Sequence, residues 1–149
     1  MAIDVVAETL IECGRADVAA FAMDVAREPE WIGGVIEARQ LGDGPPGKGT
    51  RVARTAKFLG RRIEYVNEII EYEEGARLRM KSVAGPFPME ICYEFEDAED
   101  GTLARIRVEG EASGFFRLAS PLLAPMVRRS VHRDLRTLKG LLERSAVRS

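Results

Sequence analysis

Histidine occurs once and cysteine twice in this 149-residue chain. Cys13 and Cys92 make neither a disulfide framework nor a CxxC pair, and with a lone histidine they exclude a Cys/His zinc site. An excess of one charge is missing too: 22 Lys+Arg meet 24 Asp+Glu, a formal net charge of −2. That balance leaves no electrostatic footprint for nucleic acid or an anionic membrane surface. No apolar run approaches the ~20 residues that cross a bilayer. The opening residues MAID lack a basic region followed by an apolar stretch, so no signal peptide is expected. The expectation is a soluble, cytoplasmic protein, monomer or homodimer, with no cofactor, metal, nucleic-acid partner or membrane insertion. No linker or internal repeat divides it, and residues 1–149 are read as one domain.

What the chain does have is alternation. Residues 3–12 place Val5, Ala7, Thr9 and Ile11 on one face and Glu8 and Glu12 on the other, the period of a half-buried strand. Gly14 breaks it. Residues 17–25 (DVAAFAMDV) are Ala-rich and predict a short helix burying Val18, Phe21, Ala22 and Val25. Pro29 then opens a second short turn carrying Trp31. Six further strands follow at 35–41, 50–59, 62–72, 77–83, 89–96 and 103–112, with Gly60-Arg61 as a hairpin turn. In RLRMKS (77–82) basic side chains alternate with Leu78 and Met80. Met89, Ile91, Tyr93 and Phe95 share one face of the next strand, and Ala104, Ile106, Val108 and Gly110 one face of the last. The strand 62–72 changes phase along its length, and a bulge near Glu68 reconciles the two halves.

The chain ends in a long amphipathic helix, 120–143, capped by Ser120 with Pro121 at its first position. Leu123, Val127, Val131, Leu135, Leu138 and Leu142 form one stripe. Arg128, Arg129, His132, Arg136, Lys139 and Glu143 take the opposite side. A curved antiparallel sheet and this helix solve each other's packing if the helix lies across the concave face.

This order of elements resembles the helix-grip fold of the START and Bet v 1-like (SRPBCC) superfamily, in its polyketide cyclase/dehydrase-type branch. The carriers are DVAREPEW (24–31), PGKGTR (46–51), FLGRR (58–62), GPFP (85–88) and DLRTLKGLLE (134–143), and the likeness covers 3–145. The branch often carries Asp-Pro-x-x-x-Pro-x-Trp, where this chain has Val25 for the first proline. The resemblance implies an α+β fold: about seven antiparallel strands wrapped around the C-terminal helix, with two short helices after strand 1. It also implies a cavity for a hydrophobic small molecule (lipid, sterol, polyketide or quinone), with cyclase or dehydrase activity as a further option. The contrary expectation is an interaction module, or a lipid or quinone carrier, with a largely filled core.

Several side chains are candidates to line such a cavity. Trp31, Phe58, Phe87, Phe115, Phe116 and Met126 are large apolar groups beside loops and helix starts. Tyr65, Met80, Met89 and Tyr93 point from strands. Ala104, Gly110 and Ala112 are small enough to leave a void. Asp134 falls inside the apolar arc of the last helix, near Ser130 and Thr137, where a carboxylate must be paired, hydrated or neutralised. A structural reading pairs it with Arg51 or Arg54 reaching in from the sheet. A functional one makes it a polar anchor or proton acceptor, with Tyr93 as second catalytic candidate. His132 falls opposite the stripe and is read as solvent-facing. The cluster Arg128, Arg129, Arg133 and Arg136 lacks the interleaved aromatics of a base-stacking surface, so a solvated face is expected. GDGPPGKG (42–49) lacks the Gly-Lys-Ser/Thr helix entry of a phosphate loop and is read as a strand connection.

Overall fold

Seven segments of period two pair into one antiparallel sheet in a computed structural model that describes residues 2–58, 60–86, 88–111 and 120–148. The side chains of residues 2, 120–122 and 146–148 are outside that description. The strands are β1 (Ala2–Ile11), β2 (Val35–Leu41), β3 (Arg51–Phe58), β4 (Arg61–Glu73), β5 (Arg77–Ala84), β6 (Met89–Ala98) and β7 (Gly101–Glu111). Their order across the sheet is β1-β7-β6-β5-β4-β3-β2, so β2 to β7 meander and β1 joins beside β7. Gly60 makes the turn between β3 and β4 at φ 75°, a conformation most side chains resist.

Among the described residues three α-helices accompany the sheet: α1 (Arg15–Ala22), α2 (Glu28–Trp31) and the long α3 (Ser120–Arg148). The first helix starts earlier and stops sooner than its Ala-rich run suggests. Residues Val25–Arg27 form a separate 3-10 turn instead, because the Asp24 carboxylate accepts from the Ala26 N–H and restarts the chain there. Pro29 lies in the first turn of α2, where its missing N–H costs nothing. The last helix runs to Arg148, 29 residues in all and about 43 Å long.

The stripe on α3 is the part of the helix that packs. Leu123, Val131, Leu135, Leu138 and Leu142 are all buried, whereas Arg128, Arg129, His132 and Arg136 are exposed. Five such side chains removed from water contribute about 10 kcal/mol before chain entropy is counted. The C-terminal half of α3 is also tied to the edge strand β1. Lys139 Nζ donates to the Leu10 carbonyl at 2.8 Å, and the Glu12 N–H donates to Glu143 Oε2 at 2.8 Å.

The phase change in β4 is real, and it brackets Glu68. Register shifts against β5 fall between Val66 and Asn67 and again between Ile69 and Glu71. Asn67 and Ile69 are therefore buried, and after the second shift Tyr72 stands opposite the buried Leu78.

Among the described residues the apolar interior divides in two. The main cluster joins β1, β4 to β7 and the helices. A smaller one gathers Ile3, Phe58 and Ile63 around Leu123. The space between them is where a candidate site begins.

Candidate functional site

Between sheet and α3 lies an apolar cavity of about 170 Å³ that touches both clusters. Ile3, Phe58, Ile63 and Leu123 close it on one side, and Ile91, Val108, Val127 and Val131 on the other. Ala56 and Gly110 add little bulk, which is why the space stays open. Its volume is close to the ~150 Å³ of an apolar cavity that takes up benzene.

A second compartment of about 90 Å³ continues from it, sharing Ile32, Val35, Tyr65, Ile91, Val108 and Val131. This end is polar. Glu28, Trp31, Arg54, Tyr93 and Asp134 also line it. The two compartments together stay below the ~300 Å³ at which ligand pockets usually begin. A molecule of one or two rings, or a short branched chain, matches that space.

The polar end is built from three elements. On β3 the inward positions are Val52, Arg54 and Ala56, all buried. On α2, Glu28 and Trp31 are three residues apart and so share the inward face. Arg54 Nε donates to Glu28 Oε1 at 2.7 Å, and Nη2 donates to Glu28 Oε2 at 2.8 Å. Nη2 also lies 3.2 Å from the Met80 sulfur. The guanidinium carbon sits 6.0 Å from the centre of the Tyr65 ring. Burial works against the arginine's charge, but the Glu28 carboxylate outweighs it and holds the group protonated, above its ordinary pKa.

Tyr93 stands beside Trp31, ring centres 5.8 Å apart and tilted by 60°. Burial pushes both the Tyr93 and the Tyr65 hydroxyls up from the usual phenol value, so each stays protonated and able to donate. Trp31 Nε1 and Arg54 Nη1 are buried without a hydrogen-bond partner among the described residues.

Asp134, on α3, has a different partner from the arginine the sequence suggests. Its Oδ1 accepts from the Gly33 N–H at 3.0 Å, and Arg133 Nε lies 3.8 Å away on the solvent side. Arg54 belongs to Glu28, and Arg51 lies at the surface with Glu68, 3.3 Å away. Burial raises the Asp134 pKa, opposed in part by the Gly33 N–H and Arg133. A Cβ at Gly33 would meet the Arg133 guanidinium at 2.9 Å, the end of a flexible and largely exposed side chain that can move aside.

The structure brings most of the sequence candidates to this space. Phe58, Met89 and Ser130 line the apolar compartment, Trp31, Tyr93 and Asp134 the polar one, and Tyr65 both. Met80 is fully buried beneath Arg54, and neither it nor the half-buried Met126 lines either compartment. Phe87 and Phe115, with Phe116 and Ala112, lie outside the described residues. The residue that sequence reasoning missed is Glu28. A larger groove of about 650 Å³, between α1, the 3-10 turn, β2 and β4, touches none of these residues. Among the described residues no three His, Cys, Asp or Glu side chains come together as a metal site. No helix of the described residues is long and apolar enough to cross a membrane.

Solved structures share this architecture. The Thermus thermophilus protein TTHA0849 superposes with a TM-score of 0.79 at 22% identity, over 92% of this chain and 94% of that one. The aromatase/cyclase Zhui from a Streptomyces species gives 0.82 at 13% identity, over 98% and 96% of the two chains. A START superfamily protein from Mycobacterium smegmatis gives 0.73 at 14%, over 96% and 97%. At such identities the likeness is one of fold. Among curated proteins no sequence matches. Residues 2–143 match the model of the family described as polyketide cyclase / dehydrase and lipid transport, and the chain, a helix-grip protein of the SRPBCC superfamily, belongs to that family.

Proposed function

We propose that this protein binds a hydrophobic small molecule between its sheet and its C-terminal helix, with one polar group of the ligand at the Glu28–Arg54 end. The observation that carries this reading is the split core. Two apolar clusters that would otherwise merge are held apart by a space lined almost wholly by apolar side chains, which grades into a donor-rich end. Burial of apolar ligand surface supplies the affinity at about 25 cal/mol per Å², and a few polar groups fix the orientation.

The family's description and the fold shared with an aromatase/cyclase support a second step on the same ligand, cyclisation or dehydration of a polyketide-like chain. Within that step Asp134 is the group able to exchange a proton, and Tyr93, kept protonated by burial, is a donor to a carbonyl oxygen. Binding remains the primary claim.

A native mass spectrum of protein purified without detergent tests it. The expected result is a small apolar adduct that leaves on denaturation, or saturable 1:1 uptake of the neutral two-ring naphthalene dye Prodan by the adduct-free protein. Absence of both overturns the reading. For turnover, Asp134→Asn and Tyr93→Phe are expected to abolish product while ligand affinity stays within about tenfold. Unchanged turnover in both variants removes those two roles.

A further inference from the structure

The polar end of the cavity has spare donors but no spare charge. A guanidinium carries five N–H groups, and Glu28 uses Nε and Nη2 of Arg54. Nη1 of Arg54 and Nε1 of Trp31 remain, both buried and without a hydrogen-bond partner among the described residues. Buried N–H groups of this kind are uncommon, because each loses its hydration without compensation. Two residues of the same small compartment share this defect, and its natural remedy is an acceptor oxygen on whatever enters.

The charges narrow that oxygen's chemistry. Among the described residues Arg54 is the one cation lining this compartment, Lys57 lining only the apolar one, and both oxygens of Glu28 already answer Arg54. Asp134 adds a second carboxyl to the same lining. An entering carboxylate would bring a further negative charge into a compartment whose one cation among the described residues is already neutralised, and its desolvation would go uncompensated. A ketone, quinone, ester or amide oxygen brings no charge and needs only the N–H groups on offer.

We infer that this cavity selects ligands with a neutral carbonyl and rejects carboxylates of the same skeleton, and that Glu28 is the specificity-determining residue. The inference rests on the binding reading above and adds the ligand's polar class to it. Glu28 acts here through Arg54. It holds the guanidinium in place and cancels its charge while leaving Nη1 free to donate.

Three probes on one bicyclic skeleton test this with the full chain: tetralin, α-tetralone and tetralin-1-carboxylate, each competing with the two-ring dye Prodan at neutral pH. The wild type is expected to bind α-tetralone about tenfold tighter than tetralin, equivalent to about 1.4 kcal/mol. It is expected to bind the carboxylate at least tenfold more weakly than the ketone. Glu28→Gln, which leaves the Arg54 charge unanswered, is expected to narrow or reverse the gap between ketone and carboxylate. Glu28→Leu/Arg54→Met, which removes the pair, is expected to keep tetralin affinity and lose the ketone's advantage; it decides the matter if Glu28→Gln does not fold. Tetralin binding with no ketone preference overturns this inference alone, as does a carboxylate bound as tightly as the ketone or a ketone advantage that survives in the double variant. Failure of all three probes overturns the binding reading and this inference with it.

Discussion

Arg54 and Glu28 grip each other through two parallel hydrogen bonds of 2.7 and 2.8 Å, with both side chains at most 4% exposed. The pair joins the middle of β3 to α2 across the end of the sheet. It therefore fixes α2, and Trp31 with it, over the cavity's polar end.

Breaking this pair from one side leaves a buried charge alone. Arg54→Met or Glu28→Leu is expected to destabilise the fold by about 3–5 kcal/mol, whereas the two changes together come close to neutral. Urea denaturation of the four proteins measures the coupling. Additive losses would mean that the two residues do not act as a pair.

How much of this arrangement the sequence carries depends on the element. Period-two alternation in β5, β6 and β7 and the Leu/Val stripe of α3 are strong, one-sided patterns, and they led directly to sheet, helix and mutual burial. The phase of β4 was legible only as a conflict, which its two register shifts resolve. Asp134 stood out because a carboxylate in an apolar arc is conspicuous. Glu28 did not, because it lies in a short polar turn among Arg27, Glu30 and Asp24, where no periodicity develops. A signal was present all the same. A buried Trp31 places Glu28, three residues earlier, on the same face, and β3's alternation turns Arg54 inward to meet it. The error was to give the inward arginine to the conspicuous carboxylate rather than to the nearer one.

Two carboxylates should move stability in opposite directions with pH. Asp134 faces the Gly33 N–H, Arg133 and the cavity side chains Tyr93 and Glu28, and its pKa is raised in the folded protein, burial being the largest cause. The folded state then holds this proton more tightly than the unfolded chain. Its contribution is fully present below the unfolded pKa and is lost as pH rises through the raised folded value. Glu143 is held below its ordinary value by the Lys139 hydrogen bond and then by the Glu12 N–H. Its contribution is present above the unfolded pKa and fades as pH falls through the folded one. Measured from pH 3 to 7, Asp134→Asn is expected to gain on the wild type as pH rises. Glu143→Gln is expected to gain on it as pH falls. Parallel curves for both variants would contradict the assignments.

Trp31 is the chain's single tryptophan and is 2% exposed, at the cavity's polar end. Its emission should be blue-shifted and shielded from iodide, and an entering ring should change it in a saturable way. Phe21, which stacks under Arg27 with the guanidinium carbon 4.9 Å from its ring centre and lines neither compartment, serves as the control position. Phe21→Leu should leave that fluorescence response intact. A response abolished by Phe21→Leu in a stably folded variant would contradict the placement of the ligand.

Filling the space tests the central claim most directly. Ala56 is buried on β3 and lines the apolar compartment, so Ala56→Leu adds three carbons where the ligand is placed. The two-ring dye Prodan titrated into both proteins should give saturable 1:1 binding to the wild type and at least tenfold weaker binding to Ala56→Leu, with thermal stability held or raised by the filled void. Equal binding by the two, or no saturable binding by the wild type, would contradict a ligand site between sheet and helix.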